Sequence, residues 1–309
     1  MNTTAKQFTL IEWIGIWIKA ARAPFLVTSA IPAVLGGVIA YANGSFDWVI
    51  FVLAFLGILS AHTAADFIDD YFNYKNRNFG NKDQQFHDSP LVRGIITAEQ
   101  VLLAFWLSLG LALAAGVYIL IRVGAPVLWL AAIGAFIVLF YTSPPIQLNF
   151  RGLGETALFL AFGPMIVFSV YFVLTQSFSW LPILAAVPVG IFVMNVGIVS
   201  NIFDHNDDIK NGKFTMPVKL GQARAVQVLA AVTILAYLFV VSGVALRVLP
   251  LGCLLTLLTA PMSYKMVALA RNYTDLSQYQ PAMSQAIGVS TLGGLAMVIG
   301  YAIEIIVTP

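Results

Sequence analysis

Two acidic clusters contain the residues of this chain that are best suited to chemistry. The acids are Asp66, Asp69 and Asp70 in the first cluster, and Asp204 and Asp208 in the second. Asp66 with Asp70, and Asp204 with Asp208, are four residues apart, so on a helix each pair points its carboxylates to one face. Carboxylates this close repel one another, and their charged forms are costly near lipid. We therefore expect a cation between them, and Mg2+ fits best because it takes one or two carboxylates together with substrate phosphate oxygens.

The composition indicates which elements must position these acids. The chain has 309 residues, of which 60% are hydrophobic and 10% are charged, and its mean hydropathy is +0.88. A soluble domain carries about 25% charged residues, so we predict an all-α, polytopic membrane protein. A span needs roughly 20 apolar residues, and the acidic clusters follow the second and sixth of nine predicted spans. The spans are residues 24–42, 48–67, 99–121, 124–141, 155–175, 180–203, 224–246, 249–270 and 283–306.

A further apolar stretch precedes the first span. Residues 8–21 are amphipathic and are flanked by Lys6, Lys19 and Arg22. This pattern favours a helix that lies on the membrane surface, and the alternative is an extension of the first span. The single cysteine, Cys253, excludes an internal disulfide and is predicted to be inert packing within an apolar run.

The distribution of basic residues predicts the orientation. Of sixteen Lys and Arg residues, only Arg122 and Arg247 fall on the far side when the N-terminus is placed in the cytoplasm. Basic residues accumulate in cytoplasmic loops, so we predict a multi-pass protein of the cell membrane with its N-terminus and both acidic clusters cytoplasmic. The net charge of +2 is small, which makes nucleic acid an improbable partner and leaves the lipid bilayer as the expected one.

The sequence also contains an internal repeat. After each acidic cluster comes a proline-led basic segment, at residues 89–94 and again at 216–221. The repeat predicts one domain, residues 1–309, built from two four-helix halves around a central cavity that opens to the cytoplasmic side. The halves would be about 24–141 and 155–270, with a ninth helix at 283–306.

Five motifs in order resemble the UbiA superfamily of intramembrane aromatic prenyltransferases. They are the Arg-Pro type start of the first span at 21–26, the first acidic motif at 69–75, a Pro-Leu-x-x-Gly element at 89–94, the join between the fourth and fifth spans at 141–155, and the second acidic motif with its tail at 201–221. Within the superfamily, Gly-Leu-Gly-Glu at 152–155 and Val-Lys-Leu-Gly at 218–221 are most similar to the 1,4-dihydroxy-2-naphthoate polyprenyltransferases of menaquinone synthesis.

The first acidic motif departs from the family's Asn-Asp-Tyr-x-Asp pattern. Asp69 stands where the family usually has Asn, and Asn73 stands where it has Asp, so a carboxylate and an amide are exchanged one helical turn apart. Asp66 adds an acid upstream, and the family's later Asp falls on Arg77 or is replaced by Asp83. Whether Asp66 or Asp69 completes the first metal site is therefore left open.

The resemblance implies transfer of a prenyl group from a polyprenyl diphosphate to an aromatic acceptor, with Mg2+, or Mn2+ in its place, as cofactor. The metal ligands would come from Asp66, Asp69, Asp70, Asp204 and Asp208. The diphosphate would be held by Arg22, Lys75, Arg93, Lys213, Lys219, Asn73 and Asn201. The catalytic residues would be Asp66, Asp70, Asp208 and Tyr141, whose ring could stabilise an allylic cation.

Two kinds of alternative remain from the sequence. A member of the same superfamily could use another acceptor, such as 4-hydroxybenzoate, haem, chlorophyllide or geranylgeranylglyceryl phosphate. A cation-coupled membrane transporter would also contain intramembrane carboxylates and internal repeats. The acids of this chain lie at one face beside basic loops and not in mid-span, which favours the enzyme.

Overall fold

The computed structural model describes residues 8–75 and 89–307, and this part of the chain contains helices and no strands. Its α-helices are α1 Leu10–Ala20, α2 Val27–Ala42, α3 Trp48–Lys75, α4 Ala98–Val123, α5 Pro126–Phe140, α6 Gly154–Leu160, α7 Ile166–Thr175, α8 Leu181–Lys210, α9 Met216–Leu220, α10 Gln222–Ala245, α11 Ala260–Ala270 and α12 Tyr279–Val307. Short 3-10 helices precede α2, α6, α11 and α12, and a π-helical turn joins α6 to α7. The all-α prediction is confirmed.

Eight helical segments of the described chain are long and apolar enough to cross a bilayer. They are Ala23–Ala42, Trp48–Lys75, Ala98–Val123, Gly154–Thr175, Leu181–Lys210, Gln222–Ala245, Leu251–Ala270 and Leu276–Val307. Each coincides with one of the predicted spans, so the polytopic architecture is confirmed.

The remaining predicted span, residues 124–141, corresponds to the 15-residue helix α5. At 1.5 Å per residue α5 is about 22 Å long, which is shorter than the roughly 30 Å hydrocarbon core of a bilayer. The count of nine spans therefore stays a prediction. The division into halves at 24–141 and 155–270 and the side on which a cavity opens stay predictions as well.

Helices α3 and α8 extend beyond the apolar runs that predicted them. The expected spans ended at residues 67 and 203, whereas the helices continue to Lys75 and Lys210. Hydropathy falls where the acids begin, but Asp side chains do not stop a helix whose backbone hydrogen bonds are already formed. Both acidic clusters therefore lie on continuous helices, as the spacing of four residues requires.

Helix α1 is separate from the first span. Thr9 and Glu12 form a capping box, in which Thr9 N donates to the Glu12 carboxylate at 2.8 Å and Glu12 N donates to the Thr9 hydroxyl at 3.3 Å. Trp17 packs edge-on against Phe67 of α3 with ring centroids 6.1 Å apart. Leu10, Ile11, Ile14 and Ile18 of the same helix are apolar and exposed. This amphipathic helix agrees with the predicted stretch at 8–21, and its position on a membrane surface stays a prediction.

A kink places the start of α6 against α8. Gly163 has φ −105° and ψ −106° inside the π-helical turn Ala161–Met165. A Cβ atom on Gly163 would lie 2.7 Å from the Cα atom of Gly190, so the two helices approach each other through positions that have no side chain. This contact holds the span Gly154–Thr175 close to the helix that carries the second acidic cluster.

Candidate active site

Arg22 contacts every acid of the first cluster. Its Nη1 lies 3.8 Å from Asp66 Oδ1, its Nη2 lies 3.4 Å from Asp69 Oδ2, and Nη2 also donates a hydrogen bond to Asp70. Burial disfavours the charged guanidinium, but the carboxylates of Asp70, Asp69 and Asp66 outweigh that effect and raise the pKa of Arg22 above its ordinary value. The residue predicted to hold the diphosphate is therefore an ion-pair partner of the predicted metal ligands.

The backbone of Arg22 is adapted to this position. Its φ of 47° and ψ of 38° are left-handed, a conformation that costs a residue other than glycine on the order of 1–3 kcal/mol. The turn brings the side chain back from the end of α1 to α3, and its ion pairs offset the strain.

Oxygen atoms of the first cluster fit a hard cation. Asp66 Oδ2 and Asn73 Oδ1 are buried without a hydrogen-bond partner, an arrangement that costs free energy unless another group satisfies them. Arg22 pairs with all three carboxylates of the cluster. Carboxylate and amide oxygens are the ligands that Mg2+ takes. The nearest ring nitrogen to Asp66 Oδ2 is His62 Nε2 at 3.7 Å, and the other nitrogen of His62 contacts the hydroxyl of Ser29 at 2.9 Å.

The acids of the second cluster are buried near the end of α8. Asp204 accepts a hydrogen bond from Ser200 at 3.2 Å, and Asp208 accepts one from Thr215 at 2.9 Å. Lys213 is also buried, with its Nζ 4.0 Å from Asp208. The cluster contains a third buried acid, Asp207, which pairs with Lys210 at 3.3 Å.

The segment 141–155 connects the two clusters. At one end, the hydroxyl of Thr142 donates to Asp69. At the other end, the carbonyl of Phe150 accepts from Phe214 N at 2.8 Å, and Lys213 Nζ lies 4.9 Å from the centre of the Phe150 ring. The structure therefore brings both predicted clusters to the same end of the helical bundle.

Tyr141 lies between the clusters. The next residue, Thr142, contacts Asp69 of the first cluster. The carbonyl of Tyr141 accepts a hydrogen bond from Asn149 N at 2.9 Å, beside Phe150, which contacts the segment after the second cluster. Tyr141 can offer its ring face or an O–H donor to a substrate, which agrees with its predicted role beside an allylic cation.

The other predicted diphosphate ligands make local contacts. Lys75 donates to the hydroxyl of Tyr71 at 3.0 Å, and Lys219 donates to the carbonyl of Arg151 at 2.6 Å. Arg93 is exposed in the turn before α4. Their contact with a diphosphate stays a prediction. Three residues named in the sequence analysis lie outside the described part of the chain, namely Lys6, Arg77 and Asp83.

Glu155 is a site residue to which the sequence analysis gave no role. Its buried Oε1 accepts a hydrogen bond from Asn201 Nδ2 at 2.9 Å and another from Met216 N at 3.2 Å. One carboxylate therefore joins α6, α8 and α9 behind the second cluster. A signal was present in the sequence, since Glu155 is an acid at the start of an apolar span and ends the Gly-Leu-Gly-Glu motif at 152–155.

The described residues contain no group of three or more His, Cys, Asp or Glu side chains arranged to hold a metal ion by themselves. The first cluster converges on Arg22, and the acids of the second are held by Ser200, Thr215 and Lys213. A pair of carboxylates per ion, completed by substrate oxygens, is the arrangement expected for Mg2+.

Comparison with known proteins gives the family. Residues 29–286 match the UbiA prenyltransferase family. A 2-carboxy-1,4-naphthoquinone phytyltransferase of Synechocystis sp. is 26% identical over 93% of this chain and 92% of its own length. A 1,4-dihydroxy-2-naphthoate octaprenyltransferase of Bacillus subtilis is 28% identical over 73% of this chain and 72% of its own length.

Solved structures agree on the fold. A UbiA homolog from Aeropyrum pernix in its apo form has a TM-score of 0.66 at 16% identity, covering 89% of this chain and 97% of its own. A UbiA homolog from Archaeoglobus fulgidus, bound to GPP and Mg2+, has a TM-score of 0.57 at 15% identity, covering 92% and 99%. The chain belongs to the UbiA prenyltransferase family and is a multi-pass membrane enzyme, an aromatic prenyltransferase.

Proposed function

We propose that the protein transfers a polyprenyl group from its diphosphate to 1,4-dihydroxy-2-naphthoate or a close naphthoate, in a Mg2+-dependent step of menaquinone synthesis on the cytoplasmic face of the membrane. The observation that carries the proposal is the meeting of two acidic clusters and a buried lysine at one end of an apolar helical bundle. The naphthoate acceptor is supported by relatives named for naphthoate substrates that align over most of the chain.

The acids would hold the metal. Asp70 with Asp66 or Asp69 would ligate one Mg2+, and Asp204 with Asp208 a second, with phosphate oxygens completing each shell. When bound, the metal neutralises the diphosphate and makes it a better leaving group. The uncommitted buried oxygen of Asp66 supports the first of these sites.

Basic side chains of the protein would hold the charge that develops on the departing diphosphate. Lys213 is buried next to Asp208, so its attraction for an anion is weakly screened by water. Arg22 already lies on the first cluster and can pair with phosphate oxygens in a bidentate manner. Both residues would then supply positive charge where a transition state of this reaction accumulates negative charge.

Attack by the aromatic acceptor requires a cavity that excludes water and is lined by electron-rich rings. Tyr141 precedes Thr142, which contacts Asp69 of the first cluster, and the face of its ring would attract a carbocation. Exclusion of water by the apolar bundle favours attack by an aromatic carbon over attack by water.

The experiment is an assay of purified protein with a radiolabelled polyprenyl diphosphate and a panel of acceptors. We expect product with 1,4-dihydroxy-2-naphthoate, loss of activity in EDTA, and recovery with Mg2+ or Mn2+. Asp70→Ala and Asp208→Ala should each lose more than about 90% of the activity, a factor of ten or about 1.4 kcal/mol of transition-state stabilisation. Product with 4-hydroxybenzoate or geranylgeranylglyceryl phosphate instead would refute the naphthoate assignment, and full activity in EDTA would refute the metal sites.

A further inference from the structure

The contact between Asn201 and Glu155 fixes the orientation of an amide. A carboxylate can only accept hydrogen bonds, and Glu155 Oε1 already accepts from the backbone N–H of Met216 at 3.2 Å. The group that Asn201 presents to Glu155 at 2.9 Å must therefore be its NH2. The orientation of an amide is assigned from its hydrogen-bond partners, and here the carboxylate decides it. The amide oxygen of Asn201 points away from Glu155.

The position of Asn201 on α8 makes that oxygen useful. Asn201 precedes Asp204 by three residues and Asp208 by seven. At 3.6 residues per turn, the three side chains leave the helix within an arc of about 60°. An amide oxygen is a ligand for hard cations, and it cannot donate a hydrogen bond to a phosphate. The amide oxygen of Asn201 is therefore suited to the metal, whereas the sequence analysis assigned the residue to the diphosphate.

We propose that Glu155 is a positioning residue that turns the amide oxygen of Asn201 toward the second acidic pair, so that Asn201 becomes a third oxygen ligand beside Asp204 and Asp208. The same Glu155 oxygen holds Met216 N, next to Thr215, whose hydroxyl donates to Asp208 at 2.9 Å. The Glu155 carboxylate thus positions Asn201 directly and Asp208 through the segment that contains Thr215 and Met216. The inference rests on the proposed function in one respect, which is that this site binds a divalent metal.

The first test measures Mn2+ binding by electron paramagnetic resonance on purified protein in detergent, with and without inorganic diphosphate. Glu155→Gln keeps an oxygen that can accept from both Asn201 and Met216, so its Mn2+ affinity should stay within about twofold of the wild type. Glu155→Leu removes the acceptor and releases the amide. Loss of an outer partner of a metal ligand typically weakens binding about 10- to 100-fold, and we expect a loss in this range for Glu155→Leu.

The second test reverses the hydrogen bond. Asn201→Asp alone places a carboxylate against Glu155, and the two repel. Combined with Glu155→Gln, the new carboxylate can accept from the Gln NH2 and still direct an oxygen to the metal. The double variant should therefore bind Mn2+ at least about tenfold more tightly than Asn201→Asp alone, a non-additive result that is expected of residues in one hydrogen-bond network.

A matched control separates positioning from stability. Asn195 is a buried amide on the same helix, and it donates to Thr233 at 2.8 Å, away from the acidic cluster. Asn195→Leu should lower the melting temperature in detergent and leave the Mn2+ affinity unchanged.

The inference is overturned if folded Glu155→Leu binds Mn2+ as tightly as the wild type, if the double variant is no better than Asn201→Asp, or if the wild type binds no Mn2+. None of these measurements uses a prenyl substrate. Wild-type protein that binds Mn2+ but transfers no prenyl group to any acceptor would refute the proposed function and leave this inference standing.

Discussion

At the scale of single residues, Arg22 is an ion-pair partner of all three acids of the first cluster. Its guanidinium contacts Asp66, Asp69 and Asp70, while Asp66 Oδ2 has no hydrogen-bond partner. The same positive charge that stabilises the acids in this structure opposes a metal ion that approaches them. When a diphosphate is bound, Arg22 should instead contribute to holding it.

Arg22→Gln should therefore change two measurements in opposite directions. Without the guanidinium, the carboxylates attract a divalent ion more strongly, and we expect Mn2+ affinity in the absence of diphosphate to rise several-fold, because charges within about 4 Å interact by a few kcal/mol near a protein surface. Prenyl transfer should fall at least about tenfold, since the departing diphosphate loses a partner. The measurements are Mn2+ titration by electron paramagnetic resonance and the rate at saturating metal.

The control is Arg122→Gln, which removes an exposed arginine that lies 3.8 Å from Asp47. Both measurements should stay at wild-type values, because exposed ion pairs contribute little. A fall in metal affinity for Arg22→Gln would show that Arg22 organises the acids for the metal and does not oppose it.

The sequence could predict part of this site. The spacing of four residues between acids on one helix is visible in the sequence, and it predicts both clusters. The pairing of Arg22 with Asp70 joins residues 48 positions apart, and the bond between Asn201 and Glu155 joins residues 46 positions apart. Contacts of that kind depend on how helices pack, which local spacing does not encode.

At the scale of elements, the approach of α6 and α7 to α8 positions Glu155. The π-helical turn at Ala161–Met165 bends the span, and Gly163 then lies against Gly190. The sequence predicted a span at residues 155–175 but not the kink. Glycines are common in membrane helices, and only the neighbouring helix shows which of them is in contact.

Gly163→Ala should destabilise the fold. The new Cβ would lie 2.7 Å from Gly190 Cα and 3.1 Å from the carbonyl oxygen of Ala186, and backbone atoms cannot move aside as a flexible side chain can. Overpacking of this kind costs about 1–3 kcal/mol, so we expect a lower melting temperature in detergent. Activity should fall too, since the displacement moves Glu155.

Gly116→Ala on α4 is the matched control, because a Cβ there meets no atom within 4 Å. Alanine favours a helix over glycine by up to about 1 kcal/mol, so the melting temperature should stay or rise. Equal melting temperatures for the two variants would mean that α6, α7 and α8 do not pack as closely as the structure shows.

At the scale of the whole molecule, composition and hydropathy were sufficient to predict a multi-pass helical protein, because a bilayer admits few other ways to satisfy backbone groups. The lengths of the individual helices were less predictable from the sequence. Helices α3 and α8 pass beyond their apolar runs, and α5 is shorter than a bilayer core. Hydropathy reports where lipid can contact a helix and does not report where its hydrogen bonds end.

The predicted orientation can be tested with single cysteines. Cys253 is the only cysteine of the chain and is buried, so Cys253→Ala gives a background without thiols. Ser177 lies exposed between α7 and α8, and Asn206 is exposed at the acidic end of α8. Because basic residues favour the cytoplasmic side, a membrane-impermeant maleimide applied to intact cells should label Ser177→Cys, and Asn206→Cys only after permeabilisation. The reverse labelling pattern would place the acidic clusters outside the cell. It would contradict the predicted orientation, in which most lysine and arginine residues are cytoplasmic.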